Sequence, residues 1–411
     1  MNGQHQSNTP PRLRNDLEFQ PVEYQGRRAL LVSDRFGLIK NPVMLQGEAL
    51  EVLVLIDGRR EIRDIQLEFL RNRGYSLEGT SLVNEILQTF HQLGLLDTPE
   101  IRSMKQKMIE DYLALAVREP ALAGGAYPAD PEELKQFLDQ ILEMEKLPPE
   151  VEKAQSKEKP VVLISPHIDF KRGCRLYSRA YHCLTGRKYR RVILLGTGHA
   201  VENGIVSLTS KNFLTPLGLV NTEKDLVESL RRAAPGLISP DDFAHRNEHS
   251  IEFQLLFLQR TLGPDFTLVP ILSGLFDPWL RTAGRASEIP GLQEFLKILA
   301  GAACQPDTLT VAGVDLCHIG LKFGHQQPAS ELREAAAEFD RKLIETLLRW
   351  EPENFWKLFQ NGGERFNVCG FSSLALLLEI ARVKRGIFLG YEMVDEPATR
   401  SAVSFASLVF F

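Results

Sequence analysis

The sequence has no apolar run that approaches a membrane span: its longest, such as residues 374–378, falls far short of the roughly 18 residues that a bilayer crossing requires. Membrane insertion is therefore not expected. Cysteine is scarce, and the five present (Cys174, Cys183, Cys304, Cys317 and Cys369) form no CxxC pair and no dense spacing. That pattern excludes a disulfide scaffold and points to a reducing compartment, the cytoplasm. A charge excess is missing as well, with 48 Lys and Arg against 53 Asp and Glu, a net charge of −5. No basic patch announces a nucleic-acid partner. Internal repeats and low-complexity tracts are absent. The start, MNGQHQSNTPPRLRND, lacks the apolar core of a signal peptide, and residues 1–26 read as a disordered tail. What is present is the composition of a globular protein, 44% hydrophobic and 25% charged, in a chain of 411 residues that is long enough for two domains.

Residues 27–98 read as a small α+β winged-helix domain. A β-like stretch at 29–33 leads to a turn at Asp34-Arg35-Phe36-Gly37, and three short helical patterns follow at 45–56, 61–70 and 81–93. DNA is a poor partner for it. Between residues 27 and 97 there are nine Arg or Lys against ten Asp or Glu, whereas phosphate binding wants an excess of cations. Peptide or protein docking is the better expectation. Residues 99–122 read as a linker, helical over 101–117, and a larger α/β domain spans 123–411. At its start Asp130 is placed to cap a helix that has Pro131 at its first position and Glu132 and Glu133 in its first turn. Residues 143–160, with alternating charges and three prolines, read as a solvated connection.

In this larger domain apolar runs that suit buried strands repeatedly stop at groups able to coordinate or catalyse. Residues 161–164 precede Ser165-Pro166-His167, and residues 192–195 precede Gly196-Thr197-Gly198-His199. Residues 309–314 lead to Asp315-Leu316-Cys317-His318, and Asn367-Val368 is read as a further strand end before Cys369-Gly370 and the apolar helix 374–380. Strands that alternate with helices argue for a mainly parallel or mixed central sheet flanked by helices, whose ligands bind at the carboxyl ends of the strands. Imidazole and thiolate ligands suit iron, copper or zinc rather than magnesium or calcium. A helix start after Cys369 also favours the thiolate. Gly196-Thr197-Gly198 is a weak dinucleotide signal, because Val201 stands where a third glycine belongs. His249 and Glu252 lie one helical turn apart and are expected to face a common pocket, with helix capping by Asn247 as the plainer reading. For His5, His91, His182, His245 and His325, and for the other four cysteines, ordinary core or surface roles are expected.

The ordered motifs AGGAYPADPEEL, SPHIDF, LLGTGH, TPLG, EHSIEFQLLFL, VPILSG, DLCHIGLKFG and NVCGFSSLALLLEI, across residues 123–411, resemble the Memo family, whose prokaryotic members include AmmeMemoRadiSam system protein B. The resemblance implies a fold similar to class III extradiol dioxygenases, in which two histidines and a glutamate hold Fe(II) and another histidine acts as acid or base. Cysteine replaces that glutamate in Memo proteins. It assigns His167, His199 and Cys369 as metal ligands and His318, with Asp315 beside it, as the acid/base group. Three departures stand out: Ile168-Asp169-Phe170 in place of AGY, Ala200 in place of a second histidine after His199, and Gln254 in place of the histidine that ends HSIEMH. Ile168 and Asp169 alter the pocket wall. The phrases DRFGLIKNPVML, VLVLIDGRREIRDI and HQLGLLD resemble small PqqD-like winged-helix domains that recognise peptides.

The resulting expectation is a metal-binding protein holding Fe(II), with copper or zinc as alternatives, and capable of redox or oxygen chemistry in an AmmeMemoRadiSam-type system. A radical SAM protein and an AMMECR-type protein are its implied partners. Two other readings stand beside it: a non-catalytic adaptor that docks a peptide or the radical SAM partner through the winged helix, and a zinc hydrolase with His318 or Glu252 as base.

Overall fold

Contacts divide the chain into two units, residues 1–111 with 397–399, and residues 112–396 with 400–411. The structure is a computed structural model that describes residues 9–34, 36–73 and 78–411. In the first unit β1 (Leu17–Tyr24), β2 (Arg27–Asp34) and β3 (Val43–Leu45) form an antiparallel sheet in that order. Gln25 and Gly26, at φ 51° and 72°, make the two-residue turn between β1 and β2, a geometry matched to strand twist. Helices α1 (Glu48–Leu55), α2 (Ile62–Arg73), α3 (Glu78–Gln92) and α4 (Pro99–Leu113) follow. Val32, Val52, Ile65, Phe69, Val83 and Phe90 pack into a core of their own.

The expected tail of residues 1–26 is corrected by β1, which pairs along its whole length with β2. Only Leu17 of β1 is buried, so the strand carries little of the apolar alternation by which strands are recognised. Residues 1–8 of that tail, and Arg35 of the expected turn, lie outside the described residues. Helix α4 ends at Leu113 rather than 117.

The second unit opens with β4 (Val117–Arg118), α5 (Pro131–Leu142), α6 (Pro149–Gln155), β5 (Val162–Ser165), α7 (Phe170–His182) and β6 (Arg191–Thr197). There follow β7 (Val206–Leu208), β8 (Asn212–Thr215), β9 (Gly218–Thr222), α8 (Lys224–Ala233), α9 (His249–Leu262) and β10 (Thr267–Ser273). Next come α10 (Asp277–Leu280), α11 (Gln293–Ala303), β11 (Thr308–Gly313), β12 (His318–Gly320) and α12 (Ala329–Arg349). The chain closes with α13 (Pro352–Gln360), α14 (Phe371–Ile380), β13 (Gly386–Glu396) and β14 (Ser401–Phe410). The N-cap of α5 is as expected, with Asp130 accepting from the amides of Glu132 and Glu133.

The sheet runs β12-β14-β5-β11-β6-β10-β9-β8-β4, with β13 beside β14 and β7 beside β10. Strands β5, β11, β6 and β10 are parallel neighbours, and β14 closes on β5 antiparallel. The sheet is mixed because antiparallel pairs flank its parallel centre, the β13–β14 hairpin with β12 on one side and β7 and the β8–β9 pair on the other. Side chains alternate across it. Val162, Ile164, Ile193 and Leu195 join one core with α8, α11, α12 and α14. Leu163, Val192 and Leu194 face the other way, toward α5, α7 and α9. Each such aliphatic side chain, removed from water, contributes about 1.5–3 kcal/mol. With both faces covered, only the ends of the parallel strands are left for chemistry.

Two local readings are corrected. Asn367-Val368 is no strand: a 3-10 turn at Gly363–Phe366 and Asn367, at φ 49°, deliver Cys369 to the start of α14. Residues 143–160 contain α6, whose Val151 and Ala154 are buried.

Candidate metal centre

Three imidazoles converge at the carboxyl ends of the parallel strands. His167 follows β5, His199 follows β6, and His249 is the first residue of α9. One ligand atom from each lies within 4.8 Å of the others. Their ring centroids are 5.2 Å (His167–His199), 5.0 Å (His167–His249) and 4.8 Å (His199–His249) apart.

Acceptors behind the rings set the direction of each. His167 Nδ1 lies 2.9 Å from the carbonyl oxygen of Gly313, at the end of β11. Since a carbonyl only accepts, Nδ1 carries the proton and Nε2 keeps its lone pair. His199 Nδ1 lies 3.0 Å and His249 Nδ1 3.2 Å from the same carboxylate oxygen of Glu248. Glu248 also accepts from the backbone N–H of His199 and of Ser250. One buried carboxylate thus fixes two rings and the helix start between them. This is how ligand histidines are commonly held.

Protonation favours coordination too. Burial, reinforced by the neighbouring His249 and His199, holds His167 well below the usual imidazole range, so it is neutral at physiological pH. Burial pushes the Glu248 carboxyl up, but His199 and His249 outweigh it and leave it well below the usual carboxylate range. Cys369 Sγ stands 3.4 Å from His167 Nε2, beside the three-imidazole set. Burial, then the nearby Asp315, push its thiol upward, opposing the helix start that was expected to favour thiolate. A thiolate here needs a cation next to it.

The match to a family model described as Memo-like protein covers residues 118–409, nearly all of the unit that contains this centre. The chain belongs to the Memo family. A MEMO1 family protein of Aquifex aeolicus is 30% identical over 386 residues, covering 93% of this chain and 96% of its own length. Others, from Methanopyrus kandleri and Thermus thermophilus, are 28% and 26% identical and cover 71% and 85% of this chain, with 98% and 99% of their own lengths.

Within this Memo fold the remaining candidates fall in different places. Asp315 is buried, accepts from the backbone N–H of His167 and Ile168, and has Oδ2 at 3.7 Å from His167 Nε2. Burial, partly offset by the His167 amide, raises it to about 7. His318 begins β12; its Nδ1 lies 2.9 Å from the Leu316 carbonyl, and its ring meets Phe323 edge-on. Its anchor is thus a carbonyl, while the hydrogen bonds of Asp315 go to the His167 loop. Burial lowers His318 to about 4, so the ring is neutral, with its proton on Nδ1 facing the Leu316 carbonyl. Asp169 caps α7 through the Arg172 amide and lies at the surface. Glu252, expected to share a pocket with His249, turns away into a buried ion pair with Arg118. Sequence reasoning also passed over Glu248, whose only signal was its place before His249 in the EHSIEF motif.

The donor set fits a transition ion. Three imidazoles with a thiol alongside suit iron, copper or zinc, whereas magnesium and calcium prefer oxygen ligands. Among the described residues no helix is long and apolar enough to cross a membrane.

Proposed function

We propose that the chain is a metalloprotein that holds one transition-metal ion, Fe(II) by preference, through Nε2 of His167, His199 and His249, with Cys369 Sγ as an adjacent fourth donor. The observation that carries this reading is the gathering of one ligand atom from each of three imidazoles within 4.8 Å, with the Nδ1 atoms held by Gly313 O and Glu248. Bound there, iron would supply Lewis-acid and redox chemistry to an oxygen-containing substrate. The protein's own groups do the rest. His318, neutral and proton-bearing at Nδ1, accepts a substrate proton at Nε2 and returns it. Asp315 holds the His167 loop by accepting from its backbone N–H groups, with Oδ2 close to the His167 ring.

Elemental analysis of anaerobically purified protein is expected to find iron near one equivalent. His167→Ala and His249→Ala are each expected to lower it at least tenfold, since each removes a ligand. Protein that stays free of metal after anaerobic incubation with Fe(II), copper and zinc in turn sinks the proposal. The all-imidazole set favours one second reading, a zinc hydrolase, because three histidines with an open position form a known catalytic zinc site. Zinc in place of iron in the same analysis would select it.

A further inference from the structure

We infer that Arg118 is a positioning residue for the metal centre, acting through the turn that carries Glu248; the inference rests on the metal-binding reading above. Arg118 lies on the short strand β4 and is 1% exposed. A buried guanidinium is costly unless its charge and donors are all met. Here they are. Nη1 pairs with Glu252, which is fully buried, Nε donates to His245 O at 3.1 Å, and Nη2 donates to Glu248 O at 3.2 Å.

The two carbonyls belong to the two ends of the 245–248 turn that leads into α9. Holding them fixes the backbone of Glu248, whose carboxylate in turn holds His199 and His249. Glu252 is itself braced by the amides of Ala121 and Leu122, at 3.1 and 3.0 Å, and by the Tyr127 hydroxyl. Three layers therefore stand in series: imidazole nitrogens, the Glu248 carboxylate, and a guanidinium fork clamped from behind. Lysine cannot replace it, because an ammonium lacks the planar fork that meets two carbonyls and a carboxylate together. A purely structural ion pair makes a different prediction, lower stability with unchanged metal affinity in the protein that remains folded.

The experiment uses the full chain and two variants, Arg118→Lys and the double variant R118M/E252Q, which removes both charges and so leaves neither buried alone. Co(II) is titrated against a competing chelator, its visible absorption is recorded, and circular dichroism with thermal unfolding is run on the same samples. The expected result is one Co(II) per wild-type chain, and folded variants that bind about 10- to 100-fold more weakly with a shifted Co(II) spectrum. Folded variants with wild-type affinity and spectrum overturn the inference and leave the metal reading intact. Failure of both variants to fold makes Arg118 a folding residue and also overturns it. Wild-type protein that takes up no Co(II) removes the inference together with the reading beneath it.

Discussion

At the scale of single residues, Asp315 occupies a place that a carboxylate tolerates poorly. It is 2% exposed and accepts from backbone amides, while burial lifts it from 3.8 to about 7. A carboxyl raised on folding takes up a proton in the folded state first, so its stabilising effect is complete below pH 3.8 and is lost as pH rises through about 7. The substitution Asp315→Asn would keep an oxygen for the His167 amide without the charge. In metal-free protein, the stability of the wild type relative to D315N should therefore fall by about 1.4 kcal/mol per pH unit within that window. Urea unfolding at several pH values measures it, and a pH-independent difference would refute the account. His167 and His199 were legible in the sequence because each directly follows an apolar strand. Glu248 was not, since a carboxylate that holds two rings looks in sequence like any acid before a helix. Glu252 was misplaced for a related reason: α9 is buried on nearly every side, so one-turn spacing from His249 does not decide which way a side chain points.

Among the elements, the contact of β6 with α9 matters most to the centre, because it brings His199 to His249. Glycine permits that contact. A Cβ on Gly196 would meet Ser250 Oγ at 2.6 Å and Ile251 Cγ1 at 2.8 Å, both on α9, and Leu272 Cδ2 at 3.1 Å. The Gly-Thr-Gly run that hinted at a nucleotide loop thus has a packing explanation. Gly196→Ala is expected to cost about 1–3 kcal/mol, the usual penalty of overpacking a core, and to weaken metal binding by spreading the two histidines. Gly301→Ala, in α11 with nothing near the added methyl, should instead stabilise by about 0.5–1 kcal/mol. Thermal unfolding of the two variants side by side checks both signs, and a G196A protein as stable as the wild type would remove the contact from the argument. The four parallel strands could be read as continuous apolar runs, the mark of strands covered on both faces. The β13–β14 hairpin could not. Strand β14, SAVSFASLVF, is buried at every position yet rich in Ser and Ala, so it shows neither alternation nor an unbroken apolar run.

For the whole chain, the question is whether the proposed metal centre needs the first unit. Each unit has a separate core, and the three histidines, Cys369, Glu248, Asp315 and His318 all belong to the second. The family match starts at residue 118, and the Methanopyrus kandleri relative covers 71% of this chain with 98% of its own length. Relatives of that size have no room for both units. The segment that enters the second unit is tied to it locally: Lys211 Nζ donates to Leu115 O at 2.8 Å and sits over the Tyr112 ring. A fragment of residues 99–411 retains α4 and these ties. It should remain folded and carry the same metal content per chain as the full-length protein, because no ligand or bracing group has been removed. Elemental analysis and calorimetry of the fragment decide this. A folded fragment without metal would mean that the first unit acts on the centre itself, and the division of labour between the two units would have to be redrawn.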